Sequence, residues 1–284
     1  MNQTGCKKEK NGFSVLMSVY VKEQPEYLRM ALESNLDHQT RKPNELVLVC
    51  DGPLNEELYA VIESFEQRHP QILRVFRREE NEGLGKALNF GLEQCSYDLV
   101  ARSDSDDICY ARRFEMQIAY LEKHPEISVV SGAIHEFEKN PSEDGRMKHM
   151  PCTHEEICRY VKSRNPINHM AAAFRKSDVQ KVGSYQHLFY LEDYYLWVRM
   201  IASGMKMGNL KECLVHARVG NGMAKRRGDR RQIAGWRELN RYMLEHGMTT
   251  GAGCCMSMLR IYVWCAVPAS IRTQVYDRLL RSGR

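Results

Sequence analysis

The sequence lacks the long apolar run that a membrane-spanning helix needs. Its 284 residues are 43% hydrophobic and 27% charged, which is an ordinary balance for a globular chain. No stretch approaches the roughly 20 consecutive apolar residues of a bilayer span. Residues 1–11 carry three lysines and no apolar core, unlike a secretory signal peptide. We therefore expect a soluble, cytoplasmic protein.

The sequence also lacks the usual cysteine signatures. None of its ten cysteines forms a C-x-x-C pair, so reduced thiols are expected rather than a disulfide scaffold. Cys152, His154 and Cys158 lie close together, but their spacing matches no common zinc signature. The net charge of +5 is too small to indicate a nucleic-acid partner, and we expect none.

Two phosphate-binding signatures are absent as well. No G-x-G-x-x-G follows the first predicted strand, which argues against a dinucleotide-binding fold. The segment Asn81-Glu82-Gly83-Leu84-Gly85-Lys86 opens a predicted helix and carries a Gly-Lys pair. A Walker loop needs Ser or Thr after that pair, whereas Ala87 follows here. The chain is therefore not expected to be a nucleoside triphosphatase.

What is present in the first half is an alternation of strand and helix patterns. Strands are predicted over residues 13–20, 45–50, 72–76 and 99–103, with helical periodicity in each interval between them. The short connections imply right-handed crossovers, hence an α/β fold with a mostly parallel central sheet and helices on both faces. Ligands of such sheets bind beyond the carboxyl ends of the strands.

The second half is less regular. Residues 127–137 indicate a strand, a turn and a second strand, and residues 168–175 and 213–219 each indicate one strand. A short helix is predicted over 194–203 and a longer one over 232–245.

Polar segments follow three strands of the predicted sheet and should share one crevice. They are Tyr20-Val21-Lys22-Glu23, Asp51-Gly52-Pro53 and Asp104-Ser105-Asp106-Asp107. Three carboxylates within four residues repel one another unless a cation or water screens them. Mg²⁺ and Mn²⁺ prefer such oxygen ligands. A solvated acidic turn or a helix N-cap is the alternative interpretation, and Asp51 also fits plain turn chemistry.

Glu192 and Asp193 stand immediately before an apolar helical pattern that includes Leu196 and Trp197. Acids at a helix start are favoured by the helix dipole, so capping is one interpretation. A general base that is partly buried among aromatic residues is the other.

Taken in order, these features resemble the successive motifs of family 2 glycosyltransferases. The order and spacing match over roughly residues 12–230, and the chain looks most similar to bacterial enzymes of exopolysaccharide, capsule or lipopolysaccharide O-chain biosynthesis. The segments that carry the resemblance are 13–20, Asp51-Gly52-Pro53-Leu54, Asn81-x-Gly83-Leu84-Gly85-Lys86-Ala87-Leu88-Asn89, Asp104-x-Asp106-Asp107 and Glu192-Asp193-x-x-Leu196-Trp197.

The resemblance implies a GT-A fold over residues 12–231, after a tail over residues 1–11 and before a helical extension over 232–284. It also implies inverting transfer of a sugar from a nucleotide diphosphate donor to a carbohydrate hydroxyl, with a divalent metal, Mn²⁺ or Mg²⁺. Uridine diphosphate is the commonest donor carrier among such enzymes. The expected acceptor is a carbohydrate or a lipid-linked oligosaccharide.

The resemblance also assigns residue roles by position. Asp51 would bind the nucleotide base, Asp104 the ribose or sugar, and Asp106, together with Asp104, the metal. Asp193 would take the proton of the acceptor hydroxyl, with Glu192 beside it. Further donor contacts are implied for Ser18, Tyr20, Glu23, Lys86, Arg226 and Arg227. The last two would belong to a mobile loop, for which a solvated basic loop is the alternative. Many relatives carry a second Asp where this chain has Cys50.

Two other functions are alternatives to this one. A nucleotidyltransferase of similar fold begins with a Gly-rich, Arg-containing loop after its first strand, whereas this strand leads into Val21-Lys22-Glu23-Gln24-Pro25. A nucleotide-sugar-binding or scaffold protein without catalysis would not need acids at both the metal and the base positions.

The tail over residues 257–284 combines an apolar stretch with positive charge. Five arginines oppose Asp277 there, and a basic amphipathic segment can lie in a membrane interface. Peripheral contact with the inner face of the cytoplasmic membrane is therefore expected. Packing of these helices on the catalytic domain or on a second subunit is the alternative.

Overall fold

The computed structural model describes residues 12–138, 140–142, 145–219 and 229–267. The strands are β1 (Phe13–Val19), β2 (Glu45–Cys50), β3 (Leu73–Arg77), β4 (Leu99–Asp104), β5 (Ile108–Cys109), β6 (Ile127–Phe137), β7 (Arg146–Lys148), β8 (Ala173–Arg175) and β9 (Lys206–Arg218). The helices are α1 (Pro25–Leu36), α2 (Glu56–Arg68), α3 (Leu84–Gln94), α4 (Arg113–Lys123), α5 (His154–Tyr160), α6 (Lys176–Lys181), α7 (Glu192–Ala202), α8 (Gln232–Glu245) and α9 (Gly251–Ala266), with a 3-10 turn at His169–Ala171.

These strands form one sheet in the order β3-β2-β1-β4-β8-β6-β9-β5, and β7 pairs with β6. β1 runs parallel to both β2 and β4, and β2 runs parallel to β3. The predicted parallel sheet of the first half is thus confirmed. β8 is antiparallel to β4 and to β6, so the second half of the sheet is mixed.

Three strand predictions of the second half were wrong in detail. Residues 127–137 form one continuous strand, and the expected turn is replaced by register shifts against β9 around Gly132. A Cβ added at Gly132 would lie 2.6 Å from Leu214 Cδ1, so glycine there permits close approach of β9 rather than a reversal. Residues 168–175 form the 3-10 turn followed by the three-residue β8, and β9 begins at Lys206, ahead of the predicted 213.

Helices cover both faces of the parallel strands. Val15 and Met17 of β1 pack with α1, α2 and α4, whereas Leu16 packs with α3 and α7 on the other face. This alternation follows from the two-residue period of a strand. Because both faces are buried, β1 and β2 read as almost continuous apolar runs.

The C-terminal helices continue from this domain. α8, with the bounds predicted from sequence, buries Leu239 and Met243 against Tyr194 of α7. α9 contacts α8, and its own side chains are at most half-buried. No helix in the described part of the chain is both long and apolar enough to cross a bilayer. The division at residue 231 stays a prediction.

The close packing of α3 on the sheet gives a stability prediction. A Cβ added at Gly91 would lie 2.5 Å from Leu16 Cδ1 and 2.8 Å from Val49 Cγ2, in the fully buried core. Gly251, in the first turn of α9, has nothing within 4 Å of the same position. We expect Gly91→Ala to have a free energy of unfolding about 1–3 kcal/mol below that of Gly251→Ala, because overpacking strains the core. Urea denaturation of both variants measures this difference, and equal stabilities would contradict the packing.

Candidate active site

The carboxyl ends of β1, β2 and β4 meet at one edge of the sheet. In the β1 ladders, Ser18 is paired with Val49 of β2 and with Asp104 of β4. The Asp51 N–H donates to the Val19 carbonyl over 2.8 Å, which continues the register beyond the strands. The predicted convergence of the three polar segments on one edge of the sheet is thereby confirmed.

An acidic cluster lies at the centre of this edge. Ligand oxygens of Asp104, Asp106 and Asp107 lie within 4.8 Å of one another. Asp104 is ion-paired with the buried guanidinium of Arg102. Asp107 is buried, and its Oδ1 accepts the Arg218 N–H over 2.7 Å, which joins the cluster to the end of β9. Asp107 is therefore committed to the fold, and Asp104 and Asp106 remain half-buried at the surface of the cluster.

The electrostatics of this cluster suit a divalent cation. Burial, and next the negative charges of Asp104 and Glu23, raise the pKa of Asp106 to about 7. Burial, and next the negative charges of Asp104 and Asp106, raise the pKa of Asp107 as well. A hard cation would favour the ionised forms that these charges oppose, and carboxylate oxygens are the ligands that Mg²⁺ and Mn²⁺ prefer. The residues therefore fit the predicted metal.

Glu23 is a fourth carboxylate beside the cluster. Its Oε2 accepts the Ser105 hydroxyl over 2.6 Å, and its Oε1 accepts the Gln24 N–H over 2.8 Å. The loop after β1 is thus tied to the acidic motif. Tyr20 precedes it with an exposed ring, and Ser18 is half-buried. The predicted donor contacts of these three residues are on the same edge, and their roles stay predictions.

Asp51 anchors the loop that opens α3. Its buried carboxylate accepts the N–H groups of Glu82 (3.1 Å) and Gly83 (3.0 Å). Burial raises its pKa, against which the Gly83 hydrogen bond and the charge of Arg78 act. Gly52 has φ +85° and a Cβ added there would lie 2.7 Å from the Asn81 nitrogen, so the turn after β2 presses on this loop. The sequence did not predict this anchoring role.

Lys86 extends the same network. Its Nζ lies 2.8 Å from Glu82 Oε1, and the Lys86 side chain is 64% exposed. Glu82 is also ion-paired with Arg78, which reaches Asp51 at 3.5 Å. Exposed pairs of this kind contribute little to stability, so the Lys86 ammonium remains accessible at the surface.

Glu192 and Asp193 occupy the first turn of α7, which begins two residues before the helix predicted over 194–203. Asp193 Oδ2 accepts the side-chain amide of Asn165 over 2.7 Å, and Asn165 Oδ1 accepts the Ile167 N–H over 3.2 Å. The second bond fixes which end of the amide faces the carboxylate. Burial raises the pKa of Asp193, and the Asn165 hydrogen bond acts in the opposite direction. Burial, then the charge of Asp193, raises the pKa of Glu192.

Two connections join the Glu192–Asp193 turn to the rest of this sheet edge. Asn89 of α3 exchanges hydrogen bonds with the main chain of Tyr185, at 2.6 Å and 2.8 Å. A Cβ added at Gly85 would lie 3.4 Å from Glu192 Cγ, so the first turns of α3 and α7 are in contact. Arg102 is the second connection, because its charge lowers the pKa of Asp193 while it pairs with Asp104.

Sequence reasoning assigned no role to Asn89, Arg102 or Asn165. Asn89 was part of a recognised motif, and a cation inside the buried run of β4 was a visible signal for Arg102. Asn165 offered no signal, because it lies 28 residues from Asp193 in an irregular segment. Arg226 and Arg227 lie outside the described residues. Their predicted loop follows Arg218, whose guanidinium lies 3.6 Å from the Tyr27 ring centroid.

The chain has relatives of known family over most of its length. Residues 14–182 match the family described as Glycosyl transferase family 2. An uncharacterized glycosyltransferase of Haemophilus influenzae is 47% identical over 226 residues, 79% of this chain and 83% of the relative. The amylovoran biosynthesis glycosyltransferase AmsE of Erwinia amylovora is 46% identical over 76% of this chain and 80% of its own. The UDP-Gal:alpha-D-GlcNAc-diphosphoundecaprenol beta-1,3-galactosyltransferase of Escherichia coli is 41% identical over 76% and 77%.

Solved structures share the fold at low sequence identity. TarS of S. aureus (residues 1–349) superposes with a TM-score of 0.67 at 17% identity, over 94% of this chain and 74% of that one. The mannosyltransferase PcManGT of Pyrobaculum calidifontis, in complex with GDP-Man and Mn²⁺, gives 0.65 at 15% identity, over 98% and 77%. The fold is the GT-A fold, as predicted. The match over residues 14–182 and the three bacterial relatives establish that the chain is a glycosyltransferase and belongs to glycosyl transferase family 2.

Proposed function

We propose that this glycosyltransferase moves a sugar from a UDP-linked donor onto a carbohydrate hydroxyl with inversion, during assembly of a bacterial surface polysaccharide on a lipid-linked acceptor. The observation that carries the proposal is the arrangement around Arg102. A cluster of carboxylates suited to a metal pairs with this buried guanidinium through Asp104, and the charge of the same guanidinium lowers the pKa of a separate, half-buried carboxylate, Asp193. A metal site and a general base beside one crevice are what a diphosphate leaving group and an alcohol nucleophile require.

The donor and acceptor classes are proposed by analogy. A TarS structure contains UDP-GlcNAc, and the E. coli relative is named for UDP-galactose and a diphosphoundecaprenol acceptor. The amylovoran relative is named for a polysaccharide. The 41–46% identity of the two bacterial relatives favours a similar donor and acceptor class here.

Asp106 and Asp104 would hold a Mn²⁺ or Mg²⁺ ion, which would neutralise charge on the diphosphate. Asp193, oriented by Asn165, takes the proton of the acceptor hydroxyl. The hydroxyl oxygen then forms a bond to the anomeric carbon while the bond from that carbon to the phosphate oxygen breaks. The electron pair leaves with the nucleoside diphosphate. Attack from the face opposite the leaving group inverts the anomeric configuration.

The remaining donor contacts follow the fold. The crevice edge formed by Ser18, Tyr20 and Glu23 is the proposed nucleotide side, with Asp51 below it. The Asp51 carboxylate already accepts two N–H groups of the 82–83 loop, so its first role is to fix that loop. It can contact the nucleotide base only through the lone pairs that these two hydrogen bonds leave free. Lys86, with Arg226 and Arg227, would supply positive charge to the diphosphate.

Peripheral membrane contact is proposed for the C-terminal segment 257–284. α9 exposes Met256, Leu259 and Val263, whose exposed fractions are 51%, 57% and 56%. The residues that follow add four arginines and one aspartate. Co-sedimentation with vesicles of anionic lipid tests the contact, and a Leu259→Glu variant that binds as well as the parent would contradict it.

The first prediction concerns the metal. Release of nucleoside diphosphate from UDP-sugars, with an α-N-acetylglucosamine alkyl diphosphate as acceptor, should stop in excess EDTA and return with Mn²⁺ or Mg²⁺. Asp106→Asn should lower the rate at least about 10²-fold, because the cation loses a ligand beside the leaving group. Glu63→Gln, an exposed change on α2, is the matched control and should have no effect. Full activity in EDTA would refute metal dependence.

The second prediction concerns the base. Asp193→Asn keeps the shape and the hydrogen-bonding size of the side chain but cannot accept the proton. We expect transfer to fall by about 10²–10⁴-fold, with the Kd for UDP unchanged. Glu192→Gln is the control. If Glu192→Gln proves far more damaging than Asp193→Asn, the two roles are reversed.

The third prediction concerns pH. The active form of Asp193 is the carboxylate, so kcat/KM decreases as the pH falls through its raised pKa. Asn165→Ala removes the amide donor that stabilises the ionised form, so the pKa rises further and the acid limb of the profile moves to higher pH. Activity should recover when the pH is raised. A loss that is the same at every pH would assign Asn165 a merely structural role.

A further inference from the structure

The segment 184–191, immediately before the proposed base, holds two residues in an unusual backbone conformation. Ser184 has φ 53° and Tyr190 has φ 59°. Within the described ranges these are the non-glycine residues with positive φ. Bulky L-residues rarely adopt this region, because the side chain approaches the following carbonyl oxygen. Such strain persists only where the surrounding structure imposes it.

Contacts at both ends impose this conformation. The Arg199 guanidinium donates to the carbonyls of Val182 and Ser184, the latter over 2.5 Å. Asn89 holds the main chain of Tyr185 from the other side. Leu188 and Leu191 are buried against α7 and α8, and the Leu191 N–H donates to the Leu188 carbonyl over 2.6 Å. The segment is therefore rigidly supported.

The supported segment carries an aromatic pair, Phe189 and Tyr190. Tyr190 is 45% exposed, although its neighbours Leu188 and Leu191 are buried. The Phe189 ring centroid lies 4.2 Å from that of Tyr190, and the Arg231 guanidinium lies 4.4 Å from the Phe189 centroid. Arg231 is itself held by Asp229. Phe189 is thus packed between Arg231 and Tyr190, and the Tyr190 ring is the exposed one.

The position of this ring along the chain places it next to the start of α7. Tyr190 lies two residues before Glu192, where that helix begins. Glu192 in turn packs against Gly85 of α3, where an added Cβ would lie 3.4 Å from Glu192 Cγ. Asp193 is the next residue along that turn. An exposed aromatic face beside the proton acceptor lies where the acceptor hydroxyl must arrive.

We infer that Tyr190, supported by Phe189, is the binding surface for the acceptor sugar. This inference rests on the proposed transferase function and adds an acceptor-determining residue to it. A pyranose ring has a face of C–H groups bordered by hydroxyls, and a tyrosine ring offers an apolar face with a polar edge. Stacking of the two directs a ring hydroxyl toward Asp193. The strained conformation of Tyr190 is retained because it aims the ring at this position.

Kinetics of Tyr190→Gly test the inference. Glycine accepts the positive φ, so the fold should keep its Tm while the ring is lost. With UDP-galactose and an α-N-acetylglucosamine alkyl diphosphate, we expect the acceptor KM to rise about tenfold. The donor KM and the metal-dependent hydrolysis of donor without acceptor should stay unchanged. Tyr190→Phe keeps the stacking face and should restore the acceptor KM to within about twofold of the parent.

Ser184→Gly is the matched control, because it relieves the same strain without removing a ring. Its acceptor KM should equal that of the parent. An acceptor KM for Tyr190→Gly within twofold of the parent would overturn the inference, as would an equal rise in the donor KM. Ligand-observed NMR of the acceptor tests the role of Tyr190 separately from the proposed transferase function. If the parent binds the acceptor, Tyr190→Gly does not, and neither transfers sugar, the inference stands and the transferase assignment to this acceptor fails.

Discussion

Mutual repulsion among carboxylates at the carboxyl edge of the sheet is the constraint on which the rest of the structure depends. Asp104, Asp106 and Asp107 lie within 4.8 Å of one another, and Glu23 adds to the charge. Hydrogen bonds hold two of the four in place, through the Arg218 N–H and the Ser105 hydroxyl, and the guanidinium of Arg102 pairs with a third. The fold thus keeps an acidic cluster at this edge whose oxygen atoms fit a divalent cation.

The aspartates of this region differ in their hydrogen bonds and charge because their surroundings differ. Asp51 and Asp107 are buried and accept backbone N–H groups, so they position a loop and a strand end. Asp106 has few donors and several like charges around it, which suits a metal ligand. Asp193 is half-buried and accepts the Asn165 amide, and among the described residues it has no ion pair, so it is suited to exchange a proton.

Helix α3 contacts both the loop after β2 and the first turn of α7. Its first turn is anchored by Asp51, contacts Glu192 through Gly85, and clamps Tyr185 through Asn89. Gly91 allows the same helix to sit close on β1 and β2. One helix therefore sets the distance between Asp51 and the first turn of α7. A shift of this helix would move both together, because packed elements displace as rigid bodies.

The sequence by itself determined the elements of the first half and the chemistry at their ends. Apolar runs and turn residues located β1 to β4, and parallel strands necessarily end at one edge, so Asp51 and Asp104 had to share a crevice. Tertiary structure alone decided which partners those acids have. The anchoring of the 82–83 loop by Asp51, the pairing of Asn165 with Asp193 and the unbroken course of β6 past Leu214 join residues 28 to 82 positions apart. Such contacts depend on how whole elements pack, which local periodicity does not encode.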